Sequence, residues 1–171
     1  MTEPSTPPRY AFDIVPGHGV GPILLGMQRD DIRAEMARAF SARLSASREK
    51  IDFFVENSLQ IEYGQSGAAD FIGVSQHASS LVTCWGVNVF DVEAPELFRL
   101  IAAHEPHPDQ HKFAAGEYLF PTLIMTLWDA DEQYDYVRKQ NGSRIVYAQV
   151  GIGSPAYLAA VRAINVRDRR A

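Results

Sequence analysis

The densest group of ligand-type side chains in the sequence is His104-Glu105-Pro106-His107-Pro108-Asp109-Gln110-His111, which holds three of the five histidines and two carboxylates. Imidazoles and carboxylates are common ligands of transition metals, so His104, His107 and His111 form a candidate metal set. Two prolines keep the stretch from becoming a helix that stacks histidines at i and i+4, and the HExxH pattern is absent. The composition therefore predicts a solvated acidic loop, with a metal-dependent enzyme as the alternative.

A second group runs Trp128-Asp129-Ala130-Asp131-Glu132-Gln133-Tyr134-Asp135-Tyr136, three aromatics among four acids. Aromatic rings anchor protein interfaces, and acids steer and orient a basic partner. Trp128, Asp129, Asp131, Glu132, Tyr134, Asp135 and Tyr136 are accordingly the candidate partner-binding residues.

Other chemistry finds less support. Gly17-His18-Gly19-Val20-Gly21 lacks the Gly-Lys-Ser/Thr of a phosphate loop and the spacing of a dinucleotide fingerprint, and Pro22 blocks direct passage into a helix. It reads as a turn. Cys84 lies in the apolar run Leu81-Val82-Thr83-Cys84-Trp85 and reads as a small core hydrophobe. A lone cysteine also excludes an internal disulfide framework. No G-x-S-x-G elbow occurs, no catalytic residue is assigned, and no cofactor is implied.

The net charge of −5 is unevenly spread over the 171 residues. Residues 51–137 hold 14 acids and two bases, whereas residues 138–171 hold one acid and 7 bases. An acidic body suits a basic protein partner and argues against nucleic acid, which needs clustered Lys and Arg. The terminal Arg167-Asp168-Arg169-Arg170 reads as a solvated tail. No apolar run reaches the roughly 18 residues of a membrane helix. MTEPSTPPRY has no basic patch followed by an apolar stretch, so no signal peptide is expected and the predicted setting is cytoplasmic.

The elements that must position these groups follow from periodicity. Residues 1–9 predict a flexible leader, 10–166 one compact domain and 167–171 the basic tail. Tyr10 to Val15 predicts a strand. From Gln28, the spacing of Ile32, Met36, Ala39 and Phe40 predicts a helix, with Arg29, Arg33 and Arg38 on its other faces. Asp52–Glu56 and Leu59–Tyr63 predict a hairpin about Asn57-Ser58, and further strands fall at 71–74, 81–90, 119–128 and 144–150. Pro95–Ala103 predicts a second helix. Ser154-Pro155 supplies an N-cap and first-turn proline for a third. The class is α+β, a largely antiparallel sheet with helices on one face. The order also suggests two diverged α-β-β-β repeats, 10–90 and 91–166.

Ile23-Leu24-Leu25-Gly26-Met27-Gln28-Arg29-Asp30-Asp31-Ile32 resembles the L-G-M-[ST]-x-x-[ED]-[VI] helix-opening motif of BamE/SmpA-like lipoproteins and tandem β-lactamase-inhibitor domains, with Gln28 in place of Ser/Thr. The wider pattern is carried by Pro16–Pro22, Gly86–Phe90, Phe120–Leu123 with Leu127-Trp128, and Val150–Tyr157. It resembles small bacterial proteins that are similar to immunity proteins of polymorphic toxin systems. That resemblance implies the fold class and a binding role, and it transfers no catalytic residue. The expectation is a non-catalytic, immunity-type inhibitor of a basic toxin or effector. The alternatives are the metal-dependent enzyme and a self-associating structural domain.

Overall fold

Alternating apolar and polar residues dictate a strand with one buried face, and β1 (Tyr10–Val15) forms over the predicted residues with Tyr10, Phe12 and Ile14 buried. The computed structural model describes residues 9–136 and 144–168, with side chains as far as residue 165. The predicted leader, apart from Arg9, and the side chains of the predicted basic tail lie outside the described residues.

After β1 come β2 (Gly19–Val20), β3 (Ile23–Leu24), α1 (Arg29–Phe40), β4 (Leu44–Arg48), β5 (Ile51–Phe54), β6 (Leu59–Tyr63) and β7 (Ala69–Val74). Then follow β8 (Ser80–Cys84), β9 (Val87–Asn88), α2 (Ala94–Ala102), β10 (Tyr118–Phe120), β11 (Met125–Asp131), β12 (Val146–Gly153) and α3 (Pro155–Asp168). The strands form a five-stranded sheet, β3-β2-β1-β8-β9, and a seven-stranded sheet, β10-β11-β12-β7-β6-β5-β4. Every pairing is antiparallel except β1 with β8. The protein is thus of the α+β class. The two halves do not match strand for strand, since α1 is followed by four strands of the large sheet and α2 by three.

One continuous core draws on both sheets and on α1 and α2. Ile32 and Met36 of α1, and Leu97, Phe98 and Ile101 of α2, are buried, each worth about 1.5–3 kcal/mol on the usual area scale. Phe40 meets Tyr10 and Phe12 edge-on, which joins α1 to the small sheet. α3 takes the other face of the large sheet, where Tyr157 stacks on Phe71 at 4.8 Å. Its start is as predicted: the Ser154 hydroxyl accepts from the Tyr157 N–H at 3.1 Å. Among the described residues no helix is long and apolar enough to cross a membrane.

Several expected boundaries move. The run 81–90 is split by a tight turn in which Trp85 and Gly86 both have positive φ, the backbone that matches strand twist in a two-residue hairpin. The run 119–128 is likewise two strands about a turn beginning at Pro121. β12 runs on through Gly151 and Ile152 to end at Gly153, three residues beyond the expected 150. β4 was not expected at all, because all five of its residues are exposed and show no alternation.

The arginines of α1 also depart from expectation. Arg29 and Arg33, each still partly exposed, converge on Asp52, whose side chain is fully buried on β5. Arg29 donates to the carboxylate at 2.6 and 3.2 Å and Arg33 at 2.8 and 3.0 Å. Ser47 of β4 and Tyr63 of β6 complete the shell at 2.8 and 3.1 Å. Burial pushes this carboxyl up, but the donors Arg33, Arg29, Ser47 and Tyr63 outweigh it and hold it well below the usual carboxylate range.

Removing one member of such a group leaves the others buried and uncompensated. Asp52→Asn is expected to lower unfolding stability by about 2–3 kcal/mol, at or below the ~3–5 kcal/mol of a fully buried pair because both guanidiniums reach water. A carboxyl depressed in the folded state contributes fully above the ordinary value near pH ~4, and its contribution is lost as pH falls below that. Urea unfolding at pH 7, 5 and 3 checks both points. The variant should lose part of the wild-type acid sensitivity, and an unchanged slope would refute the assignment.

Candidate interface on the outer face of the large sheet

The acid–aromatic run at 128–136 is divided by the fold. Asp129 sits in β11 with φ of 50° and accepts a hydrogen bond from the Tyr134 hydroxyl at 2.6 Å. That bond, reinforced by desolvation and nearby negative charge, pushes the Tyr134 hydroxyl up to about 12. Asp131 caps a short 3-10 turn, Glu132–Tyr134, by accepting from the Gln133 N–H at 2.9 Å. The Asp135 side chain is buried and binds the Arg144 guanidinium at 3.2 Å and its backbone N–H at 3.0 Å. Arg144 also donates to the carbonyls of Phe90 and Asp91. Asp129, Asp131, Tyr134 and Asp135 therefore hold the segment in place. Trp128 at 51% exposure, Tyr136 at 59% and Glu132 face solvent. Of the seven residues expected from the sequence to bind a partner, these three are exposed, Asp129, Asp131 and Tyr134 are half-buried, and Asp135 is buried.

The three candidate metal ligands are drawn to separate partners. His104 stacks flat on Trp85 at 3.7 Å and its Nδ1 lies 2.9 Å from the Leu100 carbonyl. The Nδ1 of His111 lies 2.7 Å from the Tyr118 hydroxyl, and His107 is exposed with φ of 57°. Among the described residues no group of three or more His, Cys, Asp or Glu side chains is placed to hold a metal ion. Glu105, from the same stretch, is buried and accepts the N–H groups of Thr122 and Leu123 at 2.9 and 2.8 Å. Cys84 is buried, and burial first, with Asp13 second, pushes its thiol up to about 12. A thiol so disfavoured from ionising suits the core role read from the sequence.

Trp128 belongs to a different surface. Along β6, β7, β12 and β11 the residues that face away from the core are Gln60 and Glu62, Phe71 and Gly73, Gln149 and Gly151, and Thr126 and Trp128, each alternating with buried apolar neighbours. Gln60, Gly73, Gly151 and Thr126 pair in one row across the four strands. A side chain at Gly73 would collide with the Gln149 amide, and one at Gly151 with the Phe71 ring. The two glycines thus let an amide and a ring lie flat on the sheet. The result is a groove of about 280 Å³ walled by Gln60, Glu62, Glu117, Trp128, Gln149 and Tyr157.

Its polar groups are ordered. The Gln149 amide donates to the Gln60 carbonyl oxygen at 3.3 Å, and the Gln60 amide donates to Glu62 at 2.6 Å. This chain engages one oxygen of Glu62 and fixes the carboxylate at the groove wall. Burial, and then the charges of Glu62 and Glu117, push the Tyr157 hydroxyl up to about 12. Both carboxylates therefore act on one point in the groove. Among the described residues that line it none is basic. An aromatic face, two carboxylates and amide oxygens are what holds a guanidinium or ammonium group.

Trp128 was legible in the sequence. Gln60 and Glu62 were legible only as a wet strand face, while Glu117, just before β10, Gln149 of β12 and Tyr157 of α3 lie far away in the chain. The available signal was Gly73 and Gly151, since glycine inside a strand marks close approach of another group. Comparison of the chain with known protein families, with curated proteins and with solved structures found no match.

The division of the 128–136 segment is testable by stability alone. Asp135→Asn is expected to lower stability by about 3 kcal/mol, and Tyr136→Ala to change it by less than ~0.5 kcal/mol. Denaturant midpoints of the two variants decide it. Equal effects would show that Asp135 is no more structural than an exposed side chain.

Proposed function

We propose that the protein is a non-catalytic binding module whose outer groove receives a cationic side chain from a basic protein partner. The observation that carries this is the exposed Trp128 ring in a groove that Glu62 and Glu117 also line and that, among the described residues, no basic residue lines. A guanidinium laid on the Trp128 face gains a cation–π contact, and the carboxylates of Glu62 and Glu117 add negative charge to the walls of the same groove. The acid excess of residues 51–137 would speed docking of such a partner. This chemistry supports the role of an immunity-type inhibitor that covers a basic toxin or effector. It differs from the sequence expectation in placing Trp128, and not the acids at 129–135, at the centre of the contact.

The test uses the full chain carrying Trp85→Phe, so that Trp128 is the only tryptophan, titrated with a hexa-arginine peptide and with a hexa-glutamate control. A saturable change in Trp128 emission with the arginine peptide, weakened by added salt, is the expected result. Glu62→Gln with Glu117→Gln should weaken it by about ten-fold or more, in line with the loss of charge-assisted bonds. With a purified natural partner, Trp128→Ala should weaken binding by about thirty-fold, as at a hot spot of ~2 kcal/mol. No saturable change with the arginine peptide, or the same change with the glutamate control, would sink the proposal.

A further inference from the structure

Where α1 passes into β4, a second hollow of about 280 Å³ opens, lined by two arginines and by one carboxylate, Glu56. Arg9 and Arg43 both line it, and among the described residues neither takes part in an ion pair. Two such guanidiniums in one hollow stand out in a chain of net charge −5. Their neighbour His77 accepts the Ser79 N–H at its Nδ1, 3.2 Å away. With Nδ1 used as an acceptor, the neutral ring carries its proton on Nε2. That N–H lies 3.5 Å from Glu56, a long contact to a carboxylate that is 86% exposed and able to swing outward.

The wall beside His77 is an unusual piece of backbone. Val55, Glu56 and Asn57 have successive φ values of 50°, 52° and 68°. A β-branched residue is strained in this region, and such strain concentrates at sites that bind or react. Ser58 holds the bend by donating both its N–H and its hydroxyl to the Val55 carbonyl, at 2.9 and 2.7 Å. Ser45 also lines the hollow and brings a hydroxyl, a group able to donate. At the end of α1 the Ala37 and Met36 carbonyls accept the N–H groups of Ser41 and Ala42, which fixes the turn that leads into Arg43.

We propose that this hollow binds a phosphate group, held by Arg9 and Arg43 with the His77 Nε2–H and the Ser45 hydroxyl as further donors. Arginine pairs suit a tetrahedral oxyanion because each planar fork can give two bonds to it. The buried Tyr10, Ala42 and Val55 at its base lower the local dielectric and strengthen those bonds. The site shares no residue with the Trp128 groove and stands or falls apart from it.

The experiment is a titration of the 15N-labelled full chain, followed by amide NMR, with inorganic phosphate and separately with phenyl phosphate. Ionic strength is held constant with chloride. The expected result is saturable shifts at Arg43, Ser45 and His77, with affinity falling about ten-fold in Arg43→Gln and in Arg9→Gln. Arg48→Gln serves as control, since Arg48 lies over the Phe53 ring and outside the hollow. Tighter binding of phenyl phosphate assigns the site to a monoester, and tighter binding of inorganic phosphate to the free anion. Shifts that do not saturate, or an affinity unchanged in Arg43→Gln, would overturn the proposal.

Discussion

The fold depends on one carboxylate placed where water is absent. Asp52 sits under α1 on the core face of the large sheet, and a charge there is tolerable only because Arg29, Arg33, Ser47 and Tyr63 all turn toward it. The same contacts fix α1 against three strands at once. With α1 fixed, Ile32 and Met36 enter the core and Phe40 reaches the small sheet through Tyr10 and Phe12. β4 gains the most. It buries none of its own residues, and Arg29 secures its far end by donating to the carbonyls of Arg48 and Glu49 at 2.8 and 2.7 Å.

A second buried pair plays the corresponding role near the start of β12. Asp135 and Arg144 bracket the residues between β11 and β12, and Arg144 extends the tie to the segment leading into α2. The two pairs have a common logic. Each takes a carboxylate from one part of the chain and satisfies it with arginine from another, so its removal would leave uncompensated charge. Acids that look like surface charge in the sequence are thereby spent on structure, and the exposed chemistry collects elsewhere. It collects at two places: an acidic, aromatic groove over β6, β7, β12 and β11 of the large sheet, and a hollow lined by Arg9 and Arg43 between the starts of β1 and β4.

Periodic segments were legible. β1 falls on the expected residues because its apolar positions alternate without interruption, and α1 and α2 fall within a residue of expectation because their apolar stripes repeat at helical spacing. The start of α3 was legible from Ser154-Pro155 alone, since capping is chemistry between near neighbours. β4 was not, because an exposed edge strand carries no hydrophobic pattern. The turns that split 81–90 and 119–128 were hidden in apolar runs, where Trp85 and Ile124 adopt left-handed backbone more often reserved for glycine.

The sequence by itself determined the class of fold, the helices and most strands, the inert character of Cys84 and the prominence of Trp128. All of these follow from local pattern and residue type. Tertiary structure alone decided which charges are structural and which are free. Arg29 and Arg33 stand at i and i+4 on one helix, a spacing that puts them on one face, but which face meets Asp52 depends on how α1 lies on the sheet. Glu62, Glu117, Trp128, Gln149 and Tyr157 become one groove only when β6, β10, β11, β12 and α3 come together. Electrostatic partners and binding surfaces join residues across tens of positions, and no periodicity in the chain encodes that distance.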